Sequence, residues 1–122
     1  MSRIIQPRRA LAMAVVCTLA VAAPAAAHVG VKSYSPKRGS TVSRSLERAA
    51  VTFKGRITDG KLTVRNAYGD KVSIGDGTVG TRKRTIRVRL KSGLSRGRYT
   101  ARWRALHNDG HVNGRSWTFN LN

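Results

Sequence analysis

Sulfur and carboxylates are both scarce in this chain. Its 122 residues include one cysteine and two methionines, and five acidic side chains stand against 24 Lys and Arg. Cys17, Met1 and Met13 all fall within the first 27 residues. That opening stretch is laid out as a secretory signal. It has Arg3, Arg8 and Arg9, an uncharged apolar run from Ala10 to Ala23, then Pro24 and the small residues Ala25-Ala26-Ala27. The run is shorter than the roughly 20 residues a membrane helix needs. Cutting after Ala27 divides the chain into a signal peptide, 1–27, and one domain, 28–122. The protein is then expected in the periplasm or outside the cell. The domain keeps no sulfur, which excludes a disulfide scaffold and leaves stability to a modest apolar core. It also excludes thiolate and thioether ligands, so any metal must be held by nitrogen and oxygen.

Acids are the second shortage. Only three of the 24 Lys and Arg precede residue 28, so the domain carries 21 against all five acids, a formal charge of +16. Clustered Lys and Arg are the usual footprint of nucleic-acid binding. Here the bases are spread along strands with no aromatic interleaving, and an exported protein rarely meets nucleic acid. Anionic envelope polymers or lipid head groups suit the compartment better. A solvated basic face that only aids solubility is the plainer alternative.

Helical periodicity is missing too. Val29 and Val31 alternate with Gly30 and Lys32 as a short strand, and Ser35 to Ser40 punctuates it with Pro36 and Gly39. Val42 to Ala49 has no sustained period and reads as loop with at most one helical turn. From Ala50 onward apolar residues recur every second position: Val51 and Phe53; Leu62 and Val64; Val72 and Ile74; Ile86, Val88 and Leu90; Tyr99, Ala101, Trp103 and Ala105; Trp117, Phe119 and Leu121. The turn Tyr68-Gly69-Asp70 predicts a hairpin between the second and third of these runs. Gly75 to Gly80 reads as a glycine-rich loop without the context of a phosphate-binding loop. About seven short strands and no helix predict an all-β antiparallel sandwich or barrel. Inward parity assigns Phe53, Tyr99, Trp103 and Trp117 to the core, and outward parity puts Arg87, Arg89, Arg102 and Arg104 on sheet surfaces.

The chemistry-bearing residues are three histidines and few acids. His107-Asn108-Asp109-Gly110-His111 lies in the loop before the last strand, where a sandwich usually carries its sites. Gly110 lets the backbone turn so that Asp109 and His111 can converge. An ordinary Asx-type surface turn is the plain alternative. His28, the third histidine, would become residue one after cleavage. It would then offer its α-amine and ring Nδ1 together. With the His111 imidazole and an Asp109 oxygen these make three nitrogens and one oxygen, a tetragonal set that suits Cu(II). The amine's reference pKa near 8 makes its deprotonation cheap at neutral pH.

Several segments resemble a known family. They are the histidine after an Ala-rich cut site, Ser33-Tyr34-Ser35-Pro36-Lys37-Arg38-Gly39, Leu94-Ser95-Arg96-Gly97-Arg98-Tyr99, Trp103-Arg104, Asp109-Gly110-His111 and Gly114. Together they are similar to the CopC family of periplasmic copper-binding, copper-resistance proteins. The resemblance implies an immunoglobulin-like seven-stranded Greek-key sandwich or barrel. It implies tight Cu(II) binding for copper buffering, transfer or resistance, by a carrier rather than an enzyme. The implied ligands are His28, Asp109 and His111. Some family members add a Met-rich Cu(I) site, which a domain without methionine should lack. His107 stands where the family usually has a small polar residue, and is expected to be either an auxiliary ligand or a solvent-facing neighbour. The expected partners are a copper ion and a membrane copper permease or other envelope copper protein; a monomer is expected, without nucleic acid. Two other functions remain open: a copper-dependent oxidative enzyme acting on polysaccharide, and a metal-free basic sandwich binding anionic envelope polymers.

Overall fold

The computed structural model describes residues 30–122. Both the signal-peptide segment and His28 lie outside the described residues. Alternating apolar positions turn one face of each strand inward, and the chain answers with two four-stranded sheets packed face to face. The strands are β1 (Val31–Ser35), β2 (Thr41–Val42), β3 (Arg48–Phe53), β4 (Ile57–Arg65), β5 (Ser73–Val79), β6 (Thr85–Leu90), β7 (Gly97–His107) and β8 (Val112–Leu121). One sheet has the order β1-β3-β6-β5 and the other β2-β8-β7-β4. All these pairings are antiparallel except the short parallel contact of β2 with β8. The fold is an immunoglobulin-like all-β sandwich. No helix among the described residues is long and apolar enough to cross a membrane.

The core lies between the sheets. Val51, Phe53 and Ile86 from the first meet Leu62, Val64, Ala101, Trp103, Trp117 and Phe119 from the second, all buried. Phe53 joins the layers by an edge-to-face contact with Trp103, ring centroids 4.9 Å apart. Tyr34 on β1 stacks on Trp117 at 4.4 Å, and the indole N–H of Trp117 donates to the Pro36 carbonyl at 2.9 Å. The buried Tyr99 hydroxyl donates to the Ser95 carbonyl at 2.6 Å, pinning the turn into β7. This bond has the form of the tyrosine corner of immunoglobulin-like domains. Arg87, Arg89, Arg102 and Arg104 are exposed, as their parity requires.

Three local expectations change. Leu62–Val64 and Val72–Ile74 do not form a hairpin ladder. They share the single bridge Arg65–Lys71, after which β4 pairs with β7 and β5 with β6. Period-two alternation marks which face a strand buries but not which strand it pairs with. Here the chain crosses between sheets, with Ser73 Oγ accepting the Val64 N–H at 3.0 Å. The glycine-rich Gly75–Gly80 stretch is mostly strand, because β5 holds an irregularity between Ile74 and Thr78. Gly77 sits there at φ +86°, and a Cβ on it would lie 3.1 Å from the Arg87 carbonyl oxygen and from Leu62 N. That close approach leaves a side chain little room, and the bulge interrupts the ladder that joins this edge strand to β6. Finally, the stretch Val42 to Ala49 is only partly loop. Val42 ends β2, Arg48 opens β3, and a turn closed by Leu46 N–H on the Ser43 carbonyl lies between them.

Candidate metal centre

Strand β7 runs two residues beyond Ala105, and this decides the fate of His107. Trp103, Ala105 and His107 share inward parity, so His107 is buried, with 2% of its surface exposed. Its ring meets Phe53 edge-on at 5.9 Å, and its Nε2 hydrogen-bonds the Asn113 side-chain oxygen on β8. His107 is therefore not a solvent-facing neighbour; the strand ends two residues later than the sequence suggests. Asn113 Oδ1 accepts only, so Nε2 is the donor in this bond. Nδ1 is buried with no hydrogen-bond partner among the described residues. Replacing Asn113 by Ala should orphan the Nε2–H as well and cost about 1–3 kcal/mol of unfolding free energy in denaturant titrations.

The loop between β7 and β8 follows from a short turn with glycine at its left-handed position. The His107 N–H donates to the His111 carbonyl at 2.8 Å, and the Gly110 N–H donates to the His107 carbonyl at 2.9 Å. Gly110 has φ +87°. This is the three-residue hairpin connection that needs a left-handed residue before the chain returns to strand. Asn108 is tied to β4, its Oδ1 accepting from Thr58 Oγ1 at 3.1 Å. Asp109 and His111 are left exposed at the tip. Asp109 Oδ1 accepts the His111 N–H at 2.9 Å, and its Oδ2 lies 3.2 Å from His111 Nδ1. The donated backbone N–H is the chief reason the Asp109 carboxyl is held below the usual carboxylate value. The imidazoles of His111 and His107 add to this and partial desolvation opposes it. With Nδ1 on the carboxylate, Nε2 is the His111 nitrogen left to bind a metal. A carboxylate holding the far nitrogen of a ligand imidazole is a common way to fix ring direction.

Of the three candidate ligands, the structure brings Asp109 and His111 together, and His28 lies outside the described residues. No group of three or more His, Cys, Asp or Glu side chains gathers among the described residues. The first of those residues, Gly30, is nevertheless at this end of the sandwich. Its carbonyl accepts the Lys54 N–H at 2.9 Å, and Val31 pairs with Phe53, whose ring meets His107. Ile57, at the start of β4, pairs directly with His107. Sequence reasoning did not single out Asn113 or Thr58, which hold the loop from outside it. The inward parity of Asn113 opposite Ala105 was the available signal.

These features define a small β-sandwich domain that offers a carboxylate–imidazole pair at one end, beside the entry of its first strand. The family model of the CopC domain matches residues 31–122. The chain belongs to the CopC domain family. Among solved structures it is similar to CopC from Methylosinus trichosporium OB3b, with 20% identity, a TM-score of 0.66, and coverage of 78% of this chain and 94% of that one. It is also similar to PcoC from Escherichia coli, a methionine-rich copper resistance protein, at 24% identity and TM-score 0.63, covering 79% of this chain and 100% of that one. The comparison with curated proteins gives no match.

Proposed function

We propose that this chain is an exported Cu(II)-binding protein serving copper buffering, transfer or resistance, with one site made of His28, Asp109 and His111. One observation carries the reading. In a chain of the CopC domain family, the paired Asp109 and His111 sit at the end of the sandwich where the backbone enters β1. His28 is two residues before Gly30, and an extended chain covers roughly 3.3–3.6 Å per residue, so it can reach about 7 Å from that point. Once the signal is removed, the amine and ring Nδ1 of His28 and Nε2 of His111 supply three nitrogens. The fourth donor is an Asp109 oxygen, which would exchange its contact with His111 Nδ1 for the metal. Both methionines and the cysteine lie in the first 27 residues, so this reading includes no Met-rich Cu(I) site. It places the protein in the periplasm or outside the cell, exchanging copper with a membrane permease or another envelope copper protein.

A carrier fits better than an oxidase of polysaccharide, which needs a flat aromatic face. Phe53, Tyr99, Trp103, Trp117 and Phe119 are all buried, and Tyr68, 89% exposed, stands alone on a distant turn. His111→Ala should lower Cu(II) affinity on the order of 100-fold or more while leaving the unfolding transition in place. Competition against a chelator of known affinity reads the first and thermal unfolding the second; unchanged affinity would remove His111 from the site. Affinity should also fall with acid. The amine and both imidazoles must give up protons to bind, so each protonation below its own pKa competes with the metal.

A further inference from the structure

We propose that the outer face of the first sheet, at the end beside the candidate metal loop, docks on the phosphoryl head groups of an anionic lipid bilayer. A shallow groove of about 790 Å³ crosses this face. Five cations line it: Lys32 on β1, Arg56 between β3 and β4, Arg82 and Arg84 between β5 and β6, and Arg87 on β6. All five are exposed, and no carboxylate lines the groove. The ion pairs among the described residues are Lys71–Asp76 and Asp109–His111, so none of the five is neutralised by a neighbour. The hydroxyls of Thr52 and Thr85, 3.1 Å apart, form its floor.

The basic surface does not stop at the groove. Farther along the same face Arg48 stands directly opposite Arg89, a like-charge cross-strand pair that costs stability in isolation. An anionic plane laid over the sheet offsets that repulsion by attracting both guanidinium groups. Five cations spread over two strands and two connecting loops match a plane of head groups better than they enclose a discrete anion. The groove offers no aromatic ring on which nucleic-acid bases could stack. Nor is it lined by Tyr68, Ile74 or Val112, the large apolar side chains that are exposed, so docking here is electrostatic without insertion. The groove is joined to the other end loops. The Ile57 N–H donates to the Lys83 carbonyl at 2.7 Å, and Ile57 pairs with His107. A docked molecule would hold its β7–β8 loop near the membrane surface. The surface exists whether or not copper binds, so this inference stands apart from the proposed metal site.

The test is sedimentation of the protein recovered after export with vesicles of phosphatidylcholine containing phosphatidylglycerol. Wild type should bind, less so as salt rises, and should not bind vesicles of phosphatidylcholine alone. Arg56→Gln/Arg82→Gln/Arg84→Gln should lower the partition coefficient on the order of 100-fold, at roughly 1 kcal/mol per basic residue near the surface. A control with the same loss of charge on the other sheet, Arg98→Gln/Arg102→Gln/Arg104→Gln, should change it by less than about threefold. Equal loss in the two variants, or no vesicle binding by wild type, would overturn the proposal. So would release from vesicles by inorganic phosphate at matched ionic strength, which would reveal a discrete anion site. Should the triple variant fail to fold, Arg82→Gln and Arg84→Gln singly should each weaken binding about fivefold, and no change in either would equally overturn it.

Discussion

Protein beginning at His28 should bind one Cu(II) more than about 100-fold more tightly than the same protein acetylated on the His28 amine. The difference arises because an N-terminal histidine closes a chelate ring with two of its own nitrogens. Acetylation converts the amine into an amide that carries no basic lone pair, and it leaves no free amine beside it to anchor the metal while that amide gives up its proton. The imidazole survives, but the ring closure and one donor are lost. Asp109, His111 and the sandwich are untouched, so thermal unfolding without copper should be the same for both. Isothermal titration in a competing chelator checks the expectation, and equal affinities would remove the terminal amine from the site.

Trp117→Ala should destabilise the domain by about 3–5 kcal/mol, the range for truncating a large buried aromatic. Small domains have total stabilities of roughly 5–15 kcal/mol, so this one change removes a large share. Trp117 is buried, stacks on Tyr34 and donates to the Pro36 carbonyl. It therefore fastens β1 across the sandwich to β8 as well as filling the core. If β1 carries His28 to the metal loop, the variant should lose copper affinity beyond what its unfolded fraction explains. Urea unfolding gives the first quantity. Copper titration at a temperature where the variant is fully folded gives the second. A loss of stability below about 1 kcal/mol would contradict the packing described.

Burial was the most legible feature of the sequence. Strict alternation placed Phe53, Tyr99, Trp103 and Trp117 inside and Arg87, Arg89, Arg102 and Arg104 outside, and the structure agrees at each. Pairing was less legible, because parity is the same for a hairpin and for a chain that changes sheets. Hence β4 and β5 share only one bridge. The two-residue β2 is too short to leave a periodic signal and adds an eighth strand to the seven expected. His107 was misplaced because a histidine next to a polar loop looks like part of it. Only the continued run of Trp103, Ala105 and His107 along β7 reveals its burial. Asp109 and His111 were legible as a pair because Gly110 between them announces the turn, and the structure brings their side chains to 3.2 Å. The positive charge was plain in composition, but its concentration around Lys32, Arg56, Arg82, Arg84 and Arg87 depends on strands and loops far apart in the chain.

The central claim is that one Cu(II) is shared between the His28 terminus and the β7–β8 loop. Electron paramagnetic resonance of the copper-loaded protein beginning at His28 tests it most directly. A tetragonal Cu(II) signal with coupling to three nitrogens is expected, falling to two in His111→Ala. A signal with the same nitrogen coupling in wild type and His111→Ala would contradict the account.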